Sequence, residues 1–269
     1  MFIPLYDTNR LRHIRLQYVT IGLIVANALV FLATTIGGEN FTNAAVLGLG
    51  FIPSVVHDKV ELSPEFVVIP ETLSYVTYSF LHADIFHLGG NMLFLWVFGD
   101  NVEDALGHIR YLIFYLLCAI AGAFFQGLVA WNSETPLIGA SGAIAGVVAA
   151  YLILYPRVKV WVLAFARIPL RIPAFIPLIL WILFQIVMFA AGGENQISWS
   201  CHIGGIIAGS ILVLVLRSRG VPLFAGADGE PDPTPNVQQA PVPTEPTAND
   251  TAPAQPAPQW GRGTASPRD

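Results

Sequence analysis

Four side chains stand out for the chemistry they could do together. Ser141 carries a hydroxyl, which becomes a nucleophile once a base accepts its proton. His202 offers an imidazole that titrates near neutral pH and can be that base. His87 and Asn91 can donate N–H groups, and their i, i+4 spacing puts them on one helix face. Such donors are what the negative oxygen of a tetrahedral acyl-transfer intermediate needs. The backbone N–H of Ser141 adds a third donor if a helix begins there, helped by the helix dipole. No acidic residue falls inside the later apolar stretches, so the set reads as a Ser–His dyad without a third triad member. The glycines agree with this. Gly139, Gly142 and Gly146 surround Ser141, and Gly205 and Gly209 follow His202. Gly142/Gly146 and Gly205/Gly209 are small-xxx-small pairs that let two helices approach closely. Close approach is what a Ser–His hydrogen bond requires.

The elements that must carry these groups are apolar helices. Of the 269 residues, 54% are hydrophobic and 12% charged. Soluble domains carry about 25% charged residues. Two cysteines exclude a disulfide scaffold. Eighteen acidic against thirteen basic residues leave no footprint for nucleic acid. The expected solvent and partner is a lipid bilayer. Stretches 18–36, 111–131, 137–155, 172–191 and 198–216 each have the roughly 20 apolar residues that a spanning helix needs. A shorter stretch, 85–98, holds His87 and Asn91 and reads as a sixth span packed inside the bundle. The first stretch is too long, and lacks the cleavage site, to be a cleavable signal peptide.

Six spans put both termini on one side. That side collects Arg10, Arg12, Arg15, Arg110, Arg157, Lys159, Arg167, Arg171, Arg217 and Arg219. The opposite loops hold Lys59 with Glu39, Asp58, Glu61, Glu65, Glu71, Asp84, Glu134 and Glu194. By the positive-inside rule the basic side is cytoplasmic. The short loops point to a bacterial inner membrane with both termini in the cytoplasm. The second, fourth and sixth spans then start on the acidic side. Ser141, His202, His87 and Asn91 fall roughly 5–10 Å below that surface at 1.5 Å per residue. Three helices thus present polar groups at one depth, where unpaired polar groups are expensive. Three regions follow: a cytoplasmic segment 1–17, a six-span domain 18–217, and a tail 218–269. The tail holds 11 of the 20 prolines and is expected to be disordered. The loop 37–70 contains apolar pieces expected in the headgroup region. The loop 157–171 alternates apolar and basic residues and is expected to rest on the inner leaflet. Other polar residues in the spans are Asn27, Thr34, Thr35, Gln126, Gln185, Ser198, Ser200, Cys201 and Ser210. Asn27 and Gln126 read as structural hydrogen bonders, and Cys118 and Cys201 as packing residues.

These motifs resemble those of the rhomboid intramembrane serine proteases. Gly139-Ala140-Ser141-Gly142 at a span start resembles the family's GxSG, and His87-x-x-x-Asn91 resembles its HxxxN. His202-x-x-Gly205-x-x-x-Gly209 resembles its base-bearing helix, and the likeness covers about 18–216. The resemblance implies an all-α membrane protein, a six-transmembrane-helix bundle. It implies Ser141 as nucleophile, His202 as general base, and His87 and Asn91 as oxyanion donors. His82 sits where relatives carry a histidine, and Glu103 matches a structural acidic position. Substrates would be single-span membrane proteins cleaved near the outer face, with no cofactor or metal. The fifth span, with Pro173 and Pro177, would border the lateral substrate route. Two departures stand out. Relatives often place an aromatic residue four after the nucleophile, where this chain has Ala145. Trp199, Phe124 or Phe125 is expected to hold the His202 ring instead. The family's Trp-Arg pair in the first loop is not evident.

Taken singly, each feature has a plainer reading: Ser141 as a small packing residue, His202 as a satisfied buried histidine, His87 and Asn91 as interhelical glue. Their convergence at one depth favours a site. The alternative is a catalytically inactive relative that binds transmembrane helices for trafficking or quality control. A channel or transporter should show charge inside the later spans, which is not seen.

Overall fold

The computed structural model describes residues 2–165, 167–192 and 198–225. They fall in one unit, Met1–Gly229, separate from Glu230–Asp269. Glu194 and the tail from 226 onward lie outside the described residues. Six helices of more than ten residues dominate the described chain: α1 (Tyr18–Leu49), α2 (Ile85–Leu106), α3 (His108–Val129), α4 (Ser141–Leu154), α5 (Phe175–Ala190) and α6 (Trp199–Leu216). By length and composition α1, α3 and α6 can cross a membrane, and α4 and α5 are shorter apolar helices. Their outward faces expose large apolar side chains such as Leu29, Ile113, Leu180 and Val215, which suits lipid contact.

Helix α2 runs two turns beyond the apolar stretch 85–98, through the buried carboxylates Glu103 and Asp104. A buried carboxylate needs donors, and the N-terminal segment supplies them. Glu103 accepts from the backbone N–H groups of Val19 at 3.0 Å and Thr20 at 2.8 Å, and from the Thr20 hydroxyl. It also meets the His108 ring. Asp104 accepts from the N–H groups of Arg12, His13 and Ile14 at 2.7–3.0 Å. The first turn of α1 has no side-chain cap of its own at Gln17. A carboxylate from the neighbouring helix therefore fills the orphan amides at its N-terminus. Glu103 thus has the structural part that the resemblance implied.

Helix α1 breaks at Gly38, with φ 77° and ψ −179°, a conformation that only glycine adopts readily. The apolar stretch ends there as the sequence suggests. The helix then resumes to Leu49, with the Thr42 hydroxyl bridging back to the Thr34 carbonyl at 2.8 Å.

Two expectations are corrected. The chain is mostly helical and not all-α: β1 (Phe2–Asp7), β2 (Lys159–Ala164) and β3 (Ile168–Pro173) form an antiparallel sheet in the order β1-β2-β3. The basic stretch 157–171 is therefore mostly a hairpin and not a loop. Its apolar alternation has a period of two, with Val160 and Val162 facing inward. Pro4, Pro169 and Pro173 lie on the edge strands, where a missing N–H costs little. The second correction concerns residues 218–225, which pack on the bundle. Ser218 donates to the Ala105 carbonyl, Phe224 to that of Ile153 and Ala225 to that of Leu154, at 2.8–2.9 Å. These bonds satisfy open carbonyls at the ends of α2 and α4, and Val221 is buried beneath them.

The sheet is locked to the bundle by Asp7. Its carboxylate accepts from the Tyr151 hydroxyl at 2.6 Å and from Asn101 Nδ2 at 2.9 Å. Burial pushes its pKa up from 3.8 to about 7, the Tyr151 bond opposes this, and nearby Asp100 adds to it. The folded state then holds the Asp7 proton more tightly than the unfolded chain does. Stability is highest at low pH and falls as pH rises from about 4 to about 7. Asp7→Asn should flatten that slope and stabilise the protein at pH 8 by about 1–2 kcal/mol, read from unfolding midpoints in detergent between pH 4 and 8.

Candidate active site

The site begins at the N-terminus of α2. Asp84 caps it, accepting from the N–H groups of Phe86 at 2.7 Å and His87 at 2.9 Å. This fixes the first turn and with it the half-buried His87. One turn on, the buried Asn91 donates from Nδ2 to His82 Nε2 at 3.0 Å. The His82 ring meets that of His87 edge-on, with centroids 5.0 Å apart. His82 therefore orients Asn91, and His87 and Asn91 present N–H groups from one face.

The chain before α4 is held against this pair. Phe51 and Leu137 exchange backbone hydrogen bonds at 2.8 and 3.1 Å, and Gly139 donates to the Tyr78 carbonyl at 3.0 Å. Gly139 has φ +117°, and a methyl there would sit 2.7 Å from the His87 ring and 3.8 Å from Asn91 Nδ2. No side chain caps α4 at Ala140. Among the described residues, the amides of Ser141 and Gly142 make no hydrogen bond. Ser141 is the first helical residue and is half-buried, and its hydroxyl also has no partner among the described residues. The expected Ser141–His202 hydrogen bond is not formed in this structure.

Helices α4 and α6 touch backbone to backbone. A methyl at Gly205 would overlap the Gly142 carbonyl oxygen, and one at Gly209 the Gly146 oxygen. A methyl at Gly142 would meet Cys201 Sγ at 2.5 Å, and one at Gly146 would meet Cys118 Sγ at 2.5 Å. The glycines flanking Ser141 and His202 are therefore the contact itself. His202 lies near the start of α6, buried. Its Nδ1 meets Gln185 Oε1 of α5 at 2.8 Å. Trp181 lies roughly parallel to the ring at 6.2 Å, and Trp199 stands at 90° to it at 6.0 Å.

The aromatic neighbours are therefore Trp199, as expected, and Trp181, which the sequence reading missed. Phe125 packs on Phe189 and Phe124 is exposed, so neither holds the ring. Gln185 appeared only as a polar residue without a role. The signal that could have found it is its i, i+4 spacing from Trp181. Gln126 accepts from the Ser198 and Ser200 hydroxyls, and Asn27 bonds within its own helix. Cys201 is buried beside the Tyr78 hydroxyl.

The arrangement combines a hydroxyl at an uncapped helix start, amide and imidazole donors beside it, and a buried imidazole held by its far nitrogen. The Rhomboid domain family matches residues 70–219. The chain belongs to the rhomboid family. It is 29% identical over 179 residues to Rhomboid protein 1, mitochondrial, of Saccharomyces cerevisiae, covering 62% of this chain and 49% of the relative. It is 26% identical over 211 residues to RHOMBOID-like protein 12, mitochondrial, of Arabidopsis thaliana, covering 72% and 56%. It is 30% identical over 128 residues to the human Presenilin-associated rhomboid-like protein, mitochondrial, covering 46% and 33%. The chain spans about half the length of the first two relatives. The matched domain starts after α1. The names also correct the compartment: these relatives are mitochondrial proteins, which overturns the bacterial inner membrane and its cytoplasmic termini.

Gly139→Ala should destabilise the site doubly, through left-handed strain of about 1–3 kcal/mol and through collision with His87. Gly89 on α2 has open space around it, so Gly89→Ala should leave the unfolding midpoint unchanged or raised. Thermal unfolding of the two variants in detergent tests the contrast.

Proposed function

We propose that this rhomboid is an intramembrane serine endopeptidase that cleaves single-span membrane proteins. One observation carries the reading: the turn that leads into the uncapped start of α4 packs at Gly139 against His87 and Asn91, on a helix packed backbone to backbone against the helix of His202. In this reading α1 to α6 are six spans of a membrane domain from 18 to 217. The relatives' names point to a mitochondrial membrane as its setting. Helix α4 has 14 residues and is about 21 Å long, against a hydrocarbon core of about 30 Å. With its far end at the basic side, Ser141 lies below the acidic surface at the base of a depression that water can fill.

The chemistry follows from the groups. Ser141 Oγ attacks the scissile carbonyl carbon while His202 Nε2 takes the hydroxyl proton. The carbonyl oxygen becomes negative and is met by the Ser141 N–H, Asn91 and His87. The intermediate collapses, the C–N bond breaks, and His202 gives its proton to the leaving amine. Water from the acidic side attacks the Ser141 acyl ester, with His202 again taking the proton. This releases the carboxylate fragment and restores the hydroxyl. No acidic residue takes part.

Ser141→Ala and His202→Ala should each lower cleavage of a single-span substrate in proteoliposomes at least about a thousandfold. A fluorophosphonate should label wild type at Ser141 and neither variant. Cleavage or labelling that survives in Ser141→Ala overturns the reading. A wild-type chain that binds transmembrane helices without cutting them would point to an inactive helix-binding relative.

A further inference from the structure

The interior of α5 carries one polar group that the dyad chemistry does not use. Gln185 is 2% exposed on a helix whose other faces are largely apolar and open to lipid, such as Leu180, Leu183, Phe184 and Val187. A buried amide on such a helix must find a partner, and its oxygen meets His202 Nδ1 at 2.8 Å. A carbonyl oxygen only accepts, so Nδ1 must carry the proton. The neutral ring has one proton, which leaves Nε2 as a bare lone pair. We propose that Gln185 is a positioning residue that selects the Nδ1–H tautomer of His202 and aims its Nε2 as the base for Ser141. The proposal rests on the protease reading above.

Three further observations support it. Trp181 lies one turn before Gln185 on the same face and covers the ring, while Trp199 stands against its edge. The imidazole is therefore held by one hydrogen bond and two aromatic faces, two of the three from α5. The position four after Ser141 is Ala145, fully buried and without a ring to offer, so α5 supplies the clamp in its place. The hydrogen-bond partner of His202 among the described side chains is the Gln185 amide, with no carboxylate beside it in that role. The amide oxygen therefore decides which nitrogen is protonated.

The test uses the full chain in nanodiscs with ¹⁵N-labelled histidine and a single-span substrate. Wild type should show the Nδ1–H tautomer at His202, identified by loss of its signals in His202→Ala. Gln185→Met keeps the volume but removes the acceptor. It should shift the ring toward a mixture of tautomers and lower kcat about tenfold to a hundredfold, with KM within about twofold. Gln185→Glu, held as the neutral carboxyl where donors for a carboxylate are lacking, keeps a C=O acceptor and should recover part of kcat, which a purely steric role would not produce. An Nε2–H tautomer in wild type overturns the proposal, even if neither variant folds. So does Gln185→Met with unchanged tautomer and kcat. Cleavage surviving in Ser141→Ala would instead sink the protease reading, so the two failures are distinct.

Discussion

The backbone contact between α4 and α6 is the constraint on which the rest depends. In lipid, apolar helices gain little by hiding from their surroundings, so association relies on close packing and hydrogen bonds. Gly142 and Gly146 face Gly205 and Gly209 with no room for a methyl group on either side. Ser141 and His202 each lie within four residues of that contact. A single added carbon would push the helices apart, and the groups at the acidic side would separate with them. The remaining elements tighten this pair. Tyr78 reaches the Ala119 carbonyl and Cys201 Sγ, and α2 and α3 pack alongside.

A second rule governs the polar groups. Several that the bundle buries meet a specific partner, often from a distant segment. Glu103 and Asp104 hold the amides that open α1 and the segment before it. Residues 218–225 fill the open carbonyls of α2 and α4. His82 holds Asn91, and Gln185 holds His202. At the start of α4 the amides of Ser141 and Gly142 have no partner among the described residues, as is also so for the first amides of α3 and α6. Unpaired donors at a helix start attract negative charge. A carboxylate caps the starts of α1 and α2, whereas the start of α4 stays open beside a hydroxyl.

Much of the helical frame was legible because apolar length and charge asymmetry are local signals. The stretches 111–131, 172–191 and 198–216 lie within a few residues of α3, α5 and α6. The HxxxN face of α2 was legible from spacing alone. The sheet was not. The alternation at Val160 and Val162 is visible, but β1, its partner, lies about 150 residues away, and no local pattern announces that pairing. The packing of residues 218–225 was hidden for the same reason, because their bonds go to helix ends across the fold. Gln185 lies 17 residues from His202 on a different helix. Composition marked it as polar in an apolar stretch, but only the packing of α5 on α6 shows what it faces.

The choice of an amide beside His202 has a physical logic in a bilayer. A carboxylate would hold the imidazolium more strongly, but its desolvation costs several kcal/mol unless other donors surround it. Those donors are not found beside His202, where the neighbours are two indoles. Near the start of α1 the same chain does bury Glu103 and Asp104, each with three or more donors drawn from backbone amides and side chains. A carboxylate thus appears where the fold can surround it and an amide where it cannot. A neutral acceptor still selects the tautomer, because selection needs only a lone pair at the right place. It does so without placing a charge in the membrane interior. The orientation of the base then depends on how α5 is seated. This helix has only three buried side chains, and two of its residues, Trp181 and Gln185, meet the His202 ring.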